Sequence, residues 1–377
     1  MSKRIAIVGC GGMGSGHAIA IATGSGIAVW GAVSTRDGNA DAGKVQSMDT
    51  DVGGKLTLAG VYDIDPHRMK WAAGMGYPLY ASYEAMLADA TVDIVLIATP
   101  NHLHRDQAIA AMRAGKHVLC EKPVTSTSAE LEEILAVSQE TGKVFYPRQN
   151  RRWDRDFRII RRIYDEELVG PVFNIESRVQ GSRGIPGDWR GKKAYGGGMM
   201  LDWGVHLLDR LLDMVPEKIT KVFCTLTHVT NDEVDDGFKL QLVFASGLTA
   251  TVEVSTCNFI SLPLWYIAGK EGTAVINDWS CAGKLSRLKT WEDSDALPIL
   301  AGAGLTKTMA PRDTGSITEY ALPDVHFDNN ELYGNLVDTI EGKSEQIVTG
   351  EQALRVLHLM EAAFQSSETG EVVHFEA

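Results

Sequence analysis

Apolar positions in the first part of the chain come in short unbroken runs: Ile5 to Val8, Leu56 to Tyr62, Asp93 to Ala98, Val118 to Cys120 and Val144 to Tyr146. Runs of that length without polar alternation predict strands covered on both faces. Between them lie helical stretches at His17 to Ala22, from Pro66, through Arg113, and at Ser128 to Thr141. Such alternation is the signature of a parallel, doubly wound α/β sheet.

The pattern changes near Pro147. A basic stretch, Arg148 to Trp153, leads into a helix with Arg151, Arg155, Arg158 and Arg162 on one face. From Val172 onward strands dominate, around Phe173 to Gln180, Lys221 to His228, Lys239 to Phe244, Leu248 to Ser255, Leu264 to Ala268 and Thr273 to Ile276. Several alternate polar with apolar residues and turn at glycines such as Gly247, which predicts an antiparallel sheet with one exposed face. Helices near Asn329 to Glu341 and Glu351 to Ser367 follow. The reading is two domains, 1–147 and 148–377, the second α+β.

After the first strand come Gly9, Cys10, Gly11, Gly12, Met13 and Gly14, then a helix. Strand, G-x-G-x-x-G and helix in that order form the setting in which a dinucleotide pyrophosphate meets backbone N–H groups at a helix N-terminus. An acidic residue ending the second strand would bind the ribose hydroxyls. Two runs compete for that strand. Ile27 to Val33 ends in Ser34-Thr35-Arg36, which suits a 2′-phosphate and NADP; Leu56 to Tyr62 ends in Asp63, with Arg68 close behind, which suits NAD. The better-ordered helix after Asp63 favours the second, making Thr23 to Lys55 an insertion and NAD the expected cofactor, with NADP possible. Thr99, Asn101 and His104 follow a third strand, where they can line the cofactor crevice; Asn101 can equally cap the next helix.

Composition removes other classes of function. The 377 residues carry 36 Lys and Arg against 49 Asp and Glu, a net charge of −13. That excess opposes nucleic-acid binding, including by the arginine-bearing helix. Five scattered cysteines with no C-x-x-C pair read as reduced thiols. The apolar opening breaks at Gly9 and no run reaches membrane-spanning length, so a cytoplasmic protein without export signal or membrane contact is expected. No metal-ligand spacing stands out.

The chemistry converges on two places. Glu121-Lys122-Pro123 follows a strand end, where open α/β sheets bind their ligands, so Glu121 and Lys122 are expected beside the cofactor. Pro123 biases Lys122 toward an extended backbone, which aims its ammonium. In the second half, Asp202 and His206 lie four apart on a predicted helix, close enough on adjacent turns to hydrogen-bond directly or through water. A nucleotide cradle, an aimed lysine and a carboxylate-histidine pair suggest hydride transfer from a secondary alcohol: His206 moves the proton, Lys122 steadies the alkoxide, and Asp202 orients the histidine or holds a substrate hydroxyl. Arg152, near the last parallel strand, is a further candidate for a polar substrate.

The glycine loop, Thr99-Pro100-Asn101-His102-Leu103-His104, Glu121-Lys122-Pro123 and Asp202-Trp203-Gly204-Val205-His206, in this order, resemble the Gfo/Idh/MocA oxidoreductase family almost end to end. The resemblance implies an N-terminal Rossmann domain, a C-terminal domain on an open, mostly antiparallel sheet, NAD or NADP, and a sugar, glycoside or polyol substrate. It makes Lys122 and His206 catalytic and Asp202 supporting or substrate-binding. It also implies a homo-oligomer, dimer or tetramer, formed through the outer face of the sheet. Within such a pocket Arg178, Arg183, Trp189, Arg190 and Tyr195 are candidates, Trp189 as a plate for a sugar face. Two other readings stay open: a redox-neutral NAD-dependent glycosidase working by transient oxidation and elimination, and a non-catalytic dinucleotide sensor.

Overall fold

In a computed structural model, which describes residues 2–24, 54–290 and 315–375, the apolar runs of the first half form a parallel five-stranded sheet. Its strands are β1 (Lys3–Val8), β2 (Leu56–Tyr62), β3 (Ile94–Ile97), β4 (His117–Cys120) and β5 (Phe145–Pro147), in the order β2-β1-β3-β4-β5. Helices α1 (Gly12–Thr23), α2 (Pro66–Gly74), α3 (Tyr83–Ala88), α4 (His104–Arg113) and α5 (Ser128–Thr141) connect them. Leu56–Tyr62 is the strand beside β1, so the later of the two competing runs is the second strand. The rival run from Ile27 to Val33, its Ser34-Thr35-Arg36 end and most of the expected insertion lie outside the described residues.

Each strand buries both faces because residues alternate. Ala6, Val8, Val95, Ile97, Val118 and Cys120 pack into a core shared with the second half, while Ile5, Ile7, Ile94, Leu96, Leu119 and Tyr146 pack on the opposite face. That opposite core is closed from far along the chain, by Leu332, Tyr333, Leu336 and Val337 of α8 (Glu331–Ile340). The parallel sheet ends at Pro147, yet its second core is completed by a helix from the second half.

The second half begins with α6 (Arg155–Asp165) and contains a nine-stranded sheet. Its strands are β6 (Val172–Gln180), β7 (Ile219–Thr227), β8 (Gly237–Phe244), β9 (Thr249–Ser255), β10 (Trp265–Gly269), β11 (Gly272–Ile276), β12 (Gly283–Leu288), β13 (Ile317–Tyr320) and β14 (Val373–His374). The order is β13-β12-β11-β10-β6-β9-β8-β7-β14, antiparallel except for β6 with β9. One face is covered by α7 (Val205–Met214) and α9 (Gly350–Thr369); the other carries the polar members of each alternation. No helix among the described residues is long and apolar enough to cross a membrane.

That alternation corrects the expectation that Arg178 meets substrate. Ile175, Ser177 and Val179 point into the core, so Glu176, Arg178 and Gln180 take the opposite face. There Arg178 Nε donates to Glu253 at 3.3 Å, and its guanidinium also pairs with Glu176. Arg152 needs the same correction. It donates to Asp209 with two nitrogens, at 2.8 and 2.6 Å, and to Asp213 at 3.0 Å and Gln352 at 2.9 Å. Its guanidinium is consumed in clamping α7 and α9 to the start of the second half. Arg151 also departs from the expected helix face, because α6 begins only at Arg155 and a 3₁₀ turn spans Asn150–Trp153.

A second buried network fixes the mouth of the parallel sheet. His17 of α1 places Nε2 2.7 Å from Glu121 Oε1, and Arg148 donates to the same oxygen at 2.9 Å. Because the carboxylate only accepts, Nε2 carries the proton, and Nδ1 accepts from the Tyr333 hydroxyl of α8. Burial alone would raise the Glu121 carboxyl, but Arg148 and the His17 hydrogen bond outweigh it and hold it at about 2. Burial, seconded by Arg148, pushes His17 down to about 4. The cofactor helix, the Lys122 turn, the end of β5 and α8 thus meet at one carboxylate.

Replacing Arg152 with Ala strands the buried Asp209 carboxylate, while Asp213 keeps its pair with Arg161, and should cost about 3–5 kcal/mol in denaturant unfolding; a loss near zero would return Arg152 to the pool of substrate ligands. Acid should destabilise the fold in two stages. His17 is neutral when folded and protonates when unfolded, so stability is complete above its ordinary 6.5 and falls toward about 4. Glu121 is ionised when folded, so a further loss runs from its ordinary 4.5 toward about 2. Denaturant melts across that range in wild type and His17→Gln check this; identical pH dependence in the two proteins would remove His17 from the first stage.

Candidate active site

The cradle is built by two glycines that need their missing side chains and others that leave space. Gly9 has φ +91°, and a Cβ there would lie 2.6 Å from the Ala98 carbonyl oxygen. A Cβ on Gly14 would sit 1.8 Å from the Gly9 oxygen, so α1 can approach the loop only with glycine at that point. A Cβ on Gly11 or Gly12 would meet nothing within 4 Å. The outer side of the turn is therefore open, next to a helix N-terminus that has no side-chain cap and no acidic residue in its first turn. An anionic pyrophosphate fits that space and that field.

At the end of β2, Asp63 is tied to the cradle. The Cys10 N–H donates to one carboxylate oxygen at 2.5 Å and the Asp65 N–H to the other at 2.8 Å. Each oxygen keeps a lone pair for a ribose hydroxyl. Arg68, exposed on the first turn of α2, is near enough to act on Cys10, whose thiol is pushed up to about 12 by burial and by Asp63. Met13 is exposed at the start of α1. Gly9 to Gly14, Asp63 and Arg68 thus come together.

The residues after β3 are used differently from expectation. Thr99 donates its hydroxyl to Gln107 at 2.6 Å. Asn101 does not cap α4: it opens a 3₁₀ turn and donates to the Gly196 carbonyl at 2.9 Å, joining the two halves. His104 is fully buried rather than facing a crevice, its ring nitrogens 3.0 Å from the Pro123 oxygen and 2.8 Å from the Thr99 oxygen. It braces the loop after β3 against the Lys122-Pro123 turn.

Lys122 and Asp202 are brought together across the domains. The Lys122 ammonium donates to the Asp202 carboxylate at 2.9 Å and to its carbonyl at 2.8 Å. Arg190 approaches the other carboxylate oxygen at 3.3 Å while its guanidinium lies 4.6 Å from the Trp189 ring centroid and pairs with Asp188 at 2.8 Å. Burial would raise the Asp202 carboxyl, but Lys122 and Arg190 outweigh it and hold it below its ordinary value. Trp189 therefore reaches the site as the partner of an arginine that grips Asp202.

His206 lies in the first turn of α7, and the five residues before that helix, Met200–Gly204, form a π-helical turn. The wider turn breaks the four-residue stacking expected of Asp202 and His206. Instead of pairing with Asp202, His206 keeps a buried Nδ1 with no hydrogen-bond partner among the described residues. Burial first, then Lys122 foremost among the surrounding cations Arg151, Arg210 and Arg148, depresses it well below 6.5. The imidazole is neutral at neutral pH and ready to accept a proton.

Sequence reasoning does not find what holds the π turn. Asp235, from the β7–β8 connection, accepts from the Met200 N–H at 2.7 Å, and its carbonyl accepts from Met199 at 3.0 Å. Gly198, φ +109°, is required beside it, since a Cβ would lie 2.3 Å from Asp235 Oδ1. The run of three glycines is the only local hint of such a close approach. For His17 the hint is a lone histidine within an apolar helix.

Comparison with known proteins identifies the family of both halves. The family model described as an oxidoreductase family with an NAD-binding Rossmann fold matches residues 3–149, and the GFO/IDH/MocA C-terminal domain matches residues 157–275. A crystal structure described as an NAD-binding protein from Listeria innocua is 41% identical, covering 100% of this chain and 97% of its own, with a TM-score of 0.82. A scyllo-inositol 2-dehydrogenase (NADP(+)) of Bacillus subtilis is 26% identical over 78% of this chain and 82% of its own. A 1,5-anhydro-D-fructose reductase of Ensifer adhaerens is 26% identical over 78% and 83%. With a dinucleotide cradle in one half and an Asp-His helix in the other, each matched in order, the chain belongs to the GFO/IDH/MocA family of NAD(P)-dependent oxidoreductases.

Proposed function

We propose that the protein oxidises a ring hydroxyl of a sugar, glycoside or inositol, or reduces the matching ketone, with His206 as the acid/base and Lys122 holding the substrate oxygen. The observation that carries this is the meeting of Lys122, from the mouth of the parallel sheet, with Asp202 one turn before a neutral, unpartnered His206. Nicotinamide, when bound, exchanges the hydride with the reacting carbon.

The protein's part is to move the proton and to hold the oxygen. His206, neutral in the resting site, is the base to which a substrate hydroxyl would give its proton. As the alcohol is oxidised, His206 takes the hydroxyl proton, and the cations that disfavour its protonation in the resting site are offset by the alkoxide charge developing beside them. Lys122 meets that charge directly. Asp202 keeps Lys122 aimed, and Arg190 keeps Asp202 from turning away. In the reductive direction the same imidazolium returns its proton. Asp63 would accept from ribose hydroxyls and repel a 2′-phosphate, which supports NAD as the preferred cofactor.

Replacing His206 with Asn should lower kcat about 10²–10⁴-fold with cofactor affinity unchanged; turnover equal to wild type would remove His206 from the mechanism. In the wild type the acidic limb of kcat/KM for oxidation should lie below the ordinary histidine value of 6.5, because the base works only unprotonated. Lys122→Met removes the foremost cation acting on it, so that limb should move to higher pH while kcat falls. A limb unmoved in Lys122→Met would separate the two residues. Asp63→Ser should weaken NAD binding about tenfold and shift the NAD-to-NADP preference toward NADP, measured by fluorescence titration with each reduced cofactor; an unchanged ratio would place nucleotide selection elsewhere.

A further inference from the structure

Next to His206 the second half carries two neighbouring indoles, of which Trp279 is exposed. The Trp203 ring stands edge-on to the His206 imidazole with centroids 6.0 Å apart, and Trp279 lies a further 6.0 Å on, tilted by 44°. Trp279 comes from the connection between β11 and β12, where Asp278 accepts from the Ser280 N–H at 2.9 Å and from its hydroxyl at 2.5 Å. The turn is self-bonded and presents its indole on a firm support. The Arg151 guanidinium lies 4.3 Å from the Trp203 centroid and 5.5 Å from that of Trp279, while donating to Asp154 at 2.8 Å. A paired cation against both rings fixes them without adding net charge to the wall.

Trp279 is nevertheless 50% exposed. A large aromatic held rigidly and left half bare, one ring away from a reactive histidine, is arranged for a flat or C–H-lined partner rather than for packing. We infer that Trp279, backed by Trp203, is the subsite for the unit attached to the reacting ring, so that the substrate is a glycoside or oligosaccharide and not a free monosaccharide or inositol. A ring reacting at His206 has Trp203 as its nearest indole, and a second sugar ring or an aromatic aglycone attached to it would lay its less polar face on the Trp279 indole. This inference rests on the proposal that His206 marks the reacting carbon.

The test pairs ring with glycoside. Wild type, Trp279→Ala and Trp279→Phe, as full-length proteins, would be assayed with NAD and NADP on glucose, galactose, mannose and myo-inositol. The phenyl and methyl glycosides of the sugars, and maltose, would be assayed alongside. The expected result is a kcat/KM for phenyl glycoside or disaccharide at least tenfold above that of the parent ring in wild type. Trp279→Ala should bring that advantage to within about twofold by raising KM alone, Trp279→Phe should retain most of it, and activity on the parent ring should not change. A preference for the free ring, or an advantage indifferent to Trp279, overturns the subsite. If nothing is turned over, the proposed chemistry fails, and tryptophan fluorescence of the cofactor-loaded proteins decides the subsite separately. Quenching by phenyl glycosides that disappears in Trp279→Phe supports it, and quenching unaffected by the substitution, or none at all, overturns it.

Discussion

One contact between a lysine and an aspartate holds the reactive parts of this molecule in one place. Lys122 donates to both the side chain and the main chain of Asp202, and such a pair, removed from most of the surrounding water, is stable only if each partner is immobile and otherwise satisfied. The remaining buried polar groups supply that immobility. On the lysine side, Glu121 is gripped by His17 and Arg148 and accepts from the Lys122 N–H at 3.2 Å, while His104 buttresses the turn from behind. On the aspartate side, Asp235 anchors the start of the π turn and Arg190 takes the outer oxygen.

What could be read from the chain was what depends on neighbours in sequence. The unbroken apolar runs announce the parallel strands, the glycine spacing announces the cradle, and the alternation after Val172 announces the second sheet. Even the right second strand follows from the order of what comes after Asp63. The family motifs extend this to Lys122 and His206 because each sits inside a short recognisable phrase.

The support was illegible because its partners lie far apart along the chain. His17 meets Glu121 across 104 positions and Tyr333 across 316. No spacing rule connects them. Arg152 and Arg178 look alike in sequence to arginines that bind substrate; strand register turns one to the far face of the sheet, and carboxylates one turn of α7 apart capture the other. Asp202 and His206 mislead for a subtler reason: a four-residue interval means stacking only in a regular α-helix, and the turn between them is wider than that. Helical periodicity carries no warning of a π turn, whereas the glycines before it and the distant Asp235 together account for one.

The helix α8 has a mechanical consequence. It leaves the second half to complete a core of the first, where Tyr146 also donates to its Asn335 at 2.7 Å, and on the other side of the molecule Ser128 is held by Glu361 at 2.7 and 2.8 Å. Stitched along two seams among the described residues, the halves are braced against swinging apart as rigid bodies. Such bracing favours ligand exchange through loop movement at the rim over large-scale opening and closing of the molecule.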